Sequence, residues 1–223
     1  MEVRGDTVVR GIFVVFEGLD GSGTTTQATL LHESLVKMGR RSVLTSEPTN
    51  GPVGSVIRQV MTRRLMFSPQ LGIVDRFLAY LFAADRFDHV YNEVNGILAY
   101  VRGGIDVIST RYYLSSFAYH VSSEEDIERV RLLNAEFPIA DLTVYLECSV
   151  DLALERLSRS RQVFERYENE AKLKMAKRNY EEVLDSFKGK VVQVDGSLPR
   201  EQQHGRILCE VLKLLDQRKD VVD

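Results

Sequence analysis

Short apolar runs alternate along this chain with longer stretches of helical periodicity. Residues 12–17, IFVVFE, form a continuous apolar run that ends at a glycine. Such a run suits a parallel strand buried on both faces. Behind it, Ala28, Leu31, Leu35 and Met38 recur at the spacing of one helix face, and Gly39 supplies a stop signal. RSVLTSE (41–47) predicts a second strand, and residues 52–62 a short helix. A long helical region is expected from about Pro69 to Val101. GGIDVIST (103–110), LTVYLEC (142–148) and KVVQVD (190–195) predict three more strands. Further helices are expected near 150–160, 170–187 and 200–216.

Strands alternating with helices imply an α/β fold of three layers, a five-stranded parallel sheet flanked by helices. No stretch reads as an interdomain linker, so a single domain over residues 1–223 is expected. Ligands of such sheets bind beyond the carboxyl ends of the strands. The chemistry is therefore sought just after each strand.

Composition narrows the classes. The chain has 223 residues, 44% hydrophobic and 27% charged, with a formal net charge of -3. That balance argues against a dedicated nucleic-acid surface, which is normally basic. No apolar run approaches the ~20 residues of a membrane span, and the first eleven residues hold no segment of signal-peptide length. Cys148 and Cys209 follow no metal or redox spacing and read as reduced core residues. A cytoplasmic location is expected.

After the first strand comes FEGLDGSGTTTQ (16–27). Gly18 and Gly23 have the spacing of the phosphate-binding pattern G-x-x-x-x-G-K-[ST], and Thr25 stands at the metal-binding hydroxyl position. A glycine-rich turn between strand and helix aims backbone N–H groups at an anion, and the helix N-terminus adds partial positive charge. Thr24, however, occupies the lysine position and brings no charge.

With the loop read this way, the chain resembles the thymidylate kinase family over nearly its whole length. FVVFEGLDGSGTTTQ is similar to the family's first strand and loop, SEPTNGPVG to its E-P-G-G-T-x-x-G segment, and LFAADRFDHV to a family helix. TRYYLSSFAYH is similar to D-R-Y-x-x-S-x-x-A-Y-Q, PIADLTVYLECSVDLALERL to the strand and helix before the LID, and ERYENE with AKRNYEEVL to the LID and its following helix. The resemblance implies a P-loop NTPase fold with a helical LID at about 156–170. It also implies transfer of the ATP γ-phosphoryl to dTMP, with Mg²⁺, in a homodimer.

It further implies roles. Gly18, Gly21, Ser22, Gly23, Thr24, Thr25 and Thr26 would hold ATP, with Thr25 on the metal. Phe82 and Arg86, one helical turn apart, would stack on the thymine ring and bond a base carbonyl. Arg111 would bind the acceptor monophosphate through its fork. Tyr119 would crowd the sugar 2′ position, and Asp20 would contact the sugar. Glu47, Ser115, Ser116 and His120 would complete the acceptor site. Arg159, Arg161 and Arg166 would, with Arg111, supply catalytic charge, Arg156 belonging to the same basic cluster. Gly21 replaces the arginine that one subtype carries in the loop, so the sequence is similar to the subtype that places arginine in the LID.

Two positions depart from the pattern besides His120, which replaces glutamine. Thr24 replaces lysine, and Thr110 replaces the aspartate of D-R-Y. One positive and one negative group are lost together, leaving the local formal charge unchanged. Glu17 and Glu147, near strand ends, are candidate carboxylates for ordering the metal. Slower phosphoryl transfer is expected. A catalytically silent nucleotide-binding homologue and a kinase for another nucleotide stay open as alternatives.

Overall fold

The computed structural model describes residues 10–66, 70–160 and 169–219. Their elements run β1 (Phe13–Gly18), α1 (Thr24–Lys37), β2 (Ser42–Ser46), α2 (Pro52–Met61), α3 (Leu71–Tyr91), α4 (Ile97–Arg102) and β3 (Asp106–Thr110). Then follow α5 (Tyr113–His120), α6 (Glu124–Asn134), β4 (Leu142–Glu147), α7 (Val150–Ser160), α8 (Glu170–Ser186), β5 (Val191–Asp195) and α9 (Arg200–Lys219). The strands form one parallel sheet in the order β2-β3-β1-β4-β5.

The unbroken apolar runs occupy the middle of that sheet. β1 and β3 are buried throughout, whereas the edge strands β2 and β5 are partly exposed. Along β1 the side chains alternate between two cores. Ile12, Val14 and Phe16 pack with Leu31 and Leu35 of α1 and Ile207 and Val211 of α9. Phe13 and Val15 pack on the other face with Val90, Ile97 and Tyr112. A third core joins α2, α3, α5, α7 and α8 through Ile57, Leu78, Leu114, Leu157 and Tyr180.

The helices after α2 depart from the sequence expectation. The region expected to run unbroken to Val101 stops at Tyr91. The Asn92 side chain accepts hydrogen bonds from the N–H groups of Val94 and Asn95, and α4 restarts after Gly96. Apolar periodicity continues across this turn and conceals it. Conversely, α5 and α6 were not expected. Their signal was a cap: Ser123 accepts from the Asp126 N–H, and Glu124, Glu125 and Asp126 fill the first turn of α6. Cys148 is buried as expected, but Cys209 is exposed on α9 and is not a core residue.

Candidate active site

The loop after β1 is shaped by backbone conformations that side chains resist. Gly21 and Gly23 have φ of 84° and 103°, values favoured by glycine. Gly21 also has no room for a side chain, since a Cβ there would sit 2.5 Å from the Ala153 carbonyl oxygen. The first backbone bond of α1 runs from Gln27 N–H to Gly23 C=O at 3.0 Å, and no side chain caps the helix. The N–H groups of Thr24, Thr25 and Thr26 precede that bond. All three residues line a cavity of about 780 Å³ at the carboxyl ends of the strands.

Arg111, just past β3, forms another wall. Its φ of 70° is unusual for a side-chain-bearing residue. Its N–H donates to the Phe16 carbonyl at 2.8 Å, which holds it beside β1. The guanidinium donates to Asp20 at 2.6 Å and to the Ser115 hydroxyl at 3.0 Å, and lies 5.1 Å from the Tyr119 ring centre. Behind it Glu17 is fully buried. Glu17 accepts from the Tyr112 N–H (2.9 Å), the Ser115 hydroxyl (2.6 Å) and the Tyr180 hydroxyl (2.9 Å). Burial raises its pKa against the pull of Ser115, Arg111 and Tyr180.

The far end is apolar above and ionic below. Phe82 of α3 and His120 of α5 meet with ring centres 5.3 Å apart. Arg86 is completely buried. Its Nε and Nη2 donate to one oxygen of Glu47 at 2.9 and 2.6 Å, Nη2 also reaches Ser116 at 3.3 Å, and Nη1 donates to Asn134. The second oxygen of Glu47 bonds His89 at 3.1 Å. Such a pair is tolerable in an interior because its polar atoms are matched.

Burial, reinforced by Arg86 and Lys172, lowers the His120 pKa to about 3. The unfolded histidine titrates near 6.5, so the unfolded chain takes up the proton first as pH falls. Stability should therefore drop between about pH 6.5 and 3, at roughly 1.4 kcal/mol per pH unit. His120→Gln should lose less stability than the parent on going from pH 7 to 5, by about 2 kcal/mol in urea titrations. Equal losses in both proteins would contradict a buried neutral ring.

Most residues singled out by the sequence share the cavity: Asp20, Gly21, Ser22, Gly23, Thr24, Thr25, Thr26, Glu47, Phe82, Arg86, Arg111, Ser115, Ser116, Tyr119 and His120. Thr24 and Thr110, both buried, line the same cavity. Gly18 ends β1 and does not line the space. Arg159 is exposed on α7 and pairs with Glu155 at 2.6 Å, away from the cavity. Arg161 and Arg166, with most of the expected LID, lie outside the described residues.

The two metal-ordering carboxylates expected from the sequence are corrected. Glu17 is consumed by its buried donors, and Glu147 is half-exposed, 3.9 Å from Lys177. Neither lines the cavity. Among the described residues no group of three acidic, histidine or cysteine side chains could hold a metal. Sequence reasoning also passed over Arg58, which lines the cavity and donates to the Pro48 carbonyl at 3.1 Å. Its signal was a place one turn after Gly54, on the helix that SEPTNGPVG opens. Among the described helices none is long and apolar enough to cross a membrane.

Comparison with known proteins gives one answer. A family model described as thymidylate kinase matches residues 16–207. A putative thymidylate kinase of Treponema pallidum is 33% identical over 204 residues, covering 88% of this chain and 92% of that protein. A probable thymidylate kinase of Pyrococcus horikoshii is 38% identical over 149 residues, covering 67% and 71%. The solved thymidylate kinase of Candida albicans, reported to have broad substrate specificity, superposes with a TM-score of 0.71 at 24% identity, covering 94% and 93% of the two chains.

Proposed function

The chain belongs to the thymidylate kinase family, and from that premise we propose that it transfers the γ-phosphoryl group of ATP to dTMP, giving dTDP and ADP. One observation carries the residue-level reading. The uncapped N-terminus of α1, the Arg111–Asp20 pair and the Phe82–Arg86 face converge on a single cavity. We assign the donor phosphates to the loop and the N–H groups of Thr24, Thr25 and Thr26. Arg111 and Arg58 take the acceptor phosphate, and Phe82, Arg86, Ser116 and His120 surround the base. Tyr119, whose hydroxyl accepts the Asp20 N–H at 3.1 Å, packs beside the sugar.

An acceptor phosphate oxygen attacks the γ-phosphorus in line, and the bond to the bridging oxygen breaks toward ADP. No protein base is needed, because the acceptor is already an anion at neutral pH. The protein contributes position and positive charge. The donor set suits Mg²⁺ arriving with ATP: Thr25 offers an exposed hydroxyl on the cavity, while Asp20 is engaged by Arg111. Mg²⁺ so held would neutralise charge on the phosphate oxygens. Assaying ADP release with Mg·ATP and a panel of nucleoside monophosphates should show dTMP as the preferred acceptor. A blank-level rate with dTMP, or preference for a ribonucleotide, would overturn the proposal.

We extend the same reading to a single-domain, cytoplasmic homodimer. Ile73, Tyr80 and Phe87 are each about half exposed, at 51%, 50% and 51%. They recur every seventh residue, so α3 presents one apolar stripe. A second copy would cover it. Sedimentation should give a dimer, and Tyr80→Glu with Phe87→Glu should give a monomer. A monomeric parent protein at micromolar concentration would rule the stripe out as that interface.

A further inference from the structure

Glu17 is fully buried near the end of β1 and does not line the cavity. Four donors nevertheless converge on it. Its Oε1 accepts from the Tyr112 N–H at 2.9 Å and the Ser115 N–H at 3.3 Å. Its Oε2 accepts from the Ser115 hydroxyl at 2.6 Å and the Tyr180 hydroxyl at 2.9 Å. An ionised carboxylate offers about four lone-pair sites and no proton, so it matches these donors. A protonated carboxyl would lose a site and add a donor.

Each oxygen acts on a different part of Arg111. The peptide after Arg111 gives its N–H to Oε1, and the carbonyl of the same peptide accepts from the Ser109 hydroxyl at 3.0 Å. The Arg111 N–H is itself held on Phe16 at 2.8 Å. Both peptides that flank the φ of 70° are therefore fixed. Oε2 acts on the side chain. Guanidinium N–H groups only donate, and Nη1 lies 3.0 Å from the Ser115 oxygen and 3.5 Å from the Tyr180 oxygen. Because Oε2 takes the protons of both hydroxyls, their lone pairs face Nη1. An amide at position 17 would instead present an N–H to Ser115 and turn the hydroxyl proton toward the guanidinium.

We propose that Glu17 is the positioning residue for Arg111. Through Ser115 and Tyr180 it holds the guanidinium fork, and through the Tyr112 N–H it holds the left-handed backbone, so that Arg111 meets the acceptor phosphate in one orientation. This rests on the assignment of Arg111 to that phosphate and adds to it the group that sets the geometry. Glu17 keeps its charge throughout and exchanges no proton with either nucleotide. A carboxylate out of reach of the cavity can still matter to the rate, because misplacing a contact group by about 1 Å costs about 10².

The test separates holding Arg111 from holding the fold. NMR of the arginine side chains, with Arg111→Lys to assign the signal, should show distinct Nη resonances for Arg111 in the parent protein, the mark of a fork that does not rotate. Glu17→Gln should merge them. It should also lower kcat/KM for dTMP by about 10², with KM for ATP within about threefold of the parent. In calorimetry it should weaken dTMP at least about tenfold and thymidine, which lacks the phosphate, less than about twofold. Tyr180→Phe, which keeps the ring and removes one donor, should cost about tenfold in kcat/KM for dTMP. Added to Ser115→Ala, Glu17→Gln should cost at least about threefold less than it does alone, because part of its action passes through Ser115. A residue that only supports the core would lower stability without selecting between dTMP and thymidine. The proposal falls if folded Glu17→Gln keeps distinct Nη resonances. It also falls if that variant keeps kcat/KM for dTMP within about threefold while Arg111→Gly loses it. If thermal melts show Glu17→Gln unfolded, Tyr180→Phe decides, and distinct resonances with kcat/KM within about twofold overturn the proposal. Should the parent protein make no dTDP, or Arg111→Gly bind dTMP as the parent does, the assignment of Arg111 is wrong, and the Nη resonances still decide whether Glu17 holds it.

Discussion

Arg86→Met is expected to destabilise the protein by about 3–5 kcal/mol, the cost of leaving a buried charge without its partner. The stranded group is Glu47, which is itself nearly inaccessible and would keep only His89. Urea denaturation at neutral pH reads the loss directly. Replacing Glu47 by Gln in the same background should recover a large part of it, because two neutral side chains need no mutual compensation. The Tyr112 and Phe137 rings, with centres 5.4 and 5.7 Å from the guanidinium, lose a cation but keep an apolar neighbour. Discrimination among bases should fall with it, since on the proposed reading Arg86 and Phe82 form the face under the thymine. A loss below about 1 kcal/mol would mean that water reaches Glu47 and that the pair is not an interior one.

Arg111→Gly should separate stability from catalysis. Glycine at φ 70° avoids a strain of roughly 1–2 kcal/mol that a side chain brings to left-handed backbone. That gain offsets part of the lost bonds to Asp20 and Ser115. Thermal stability should therefore change little. By contrast, kcat/KM for dTMP should fall by roughly 10²–10³, as when a preorganised charge donor is removed, with KM for ATP nearly unchanged. Arg111→Lys should lie between, because an ammonium keeps the charge without the fork. A kcat/KM for dTMP within about fivefold of the parent would remove Arg111 from the acceptor site.

Much of this arrangement was legible in the residues because the signals were local. IFVVFE suited a strand buried on both sides, and GLDGSGTT carried its own turn chemistry. FAADRF announced Phe82 and Arg86 as one face of a helix, although not that Glu47 would neutralise the arginine from 39 residues away. That pairing depends on β2 ending opposite α3, a tertiary fact. The same limit hid the partners of Arg156, Ser22 and Gly196, which lie 134 and 40 residues off. Glu17 was misread for a related reason. Its place at the end of a strand suggests a ligand-facing carboxylate, but α5 and α8 close over it with Ser115 and Tyr180. The break at Asn92 was missed because periodicity outweighed the weaker turn signal of NEVNG.

β1 and β3 are direct neighbours in the sheet, and the Arg111 N–H still bonds to Phe16 beyond the last residue of β3. The glycine-rich loop and Arg111 are thus set apart by the spacing of about 4.8 Å between adjacent strands. On the proposed reading, the ruler that measures the gap between the two phosphates is the backbone ladder, and side chains at its end can be exchanged without recalibrating it. Exchanges at positions such as 24 and 110 therefore alter the charge at the end of the ladder without moving its frame, so long as the pairing of 13–16 with 107–110 keeps its register.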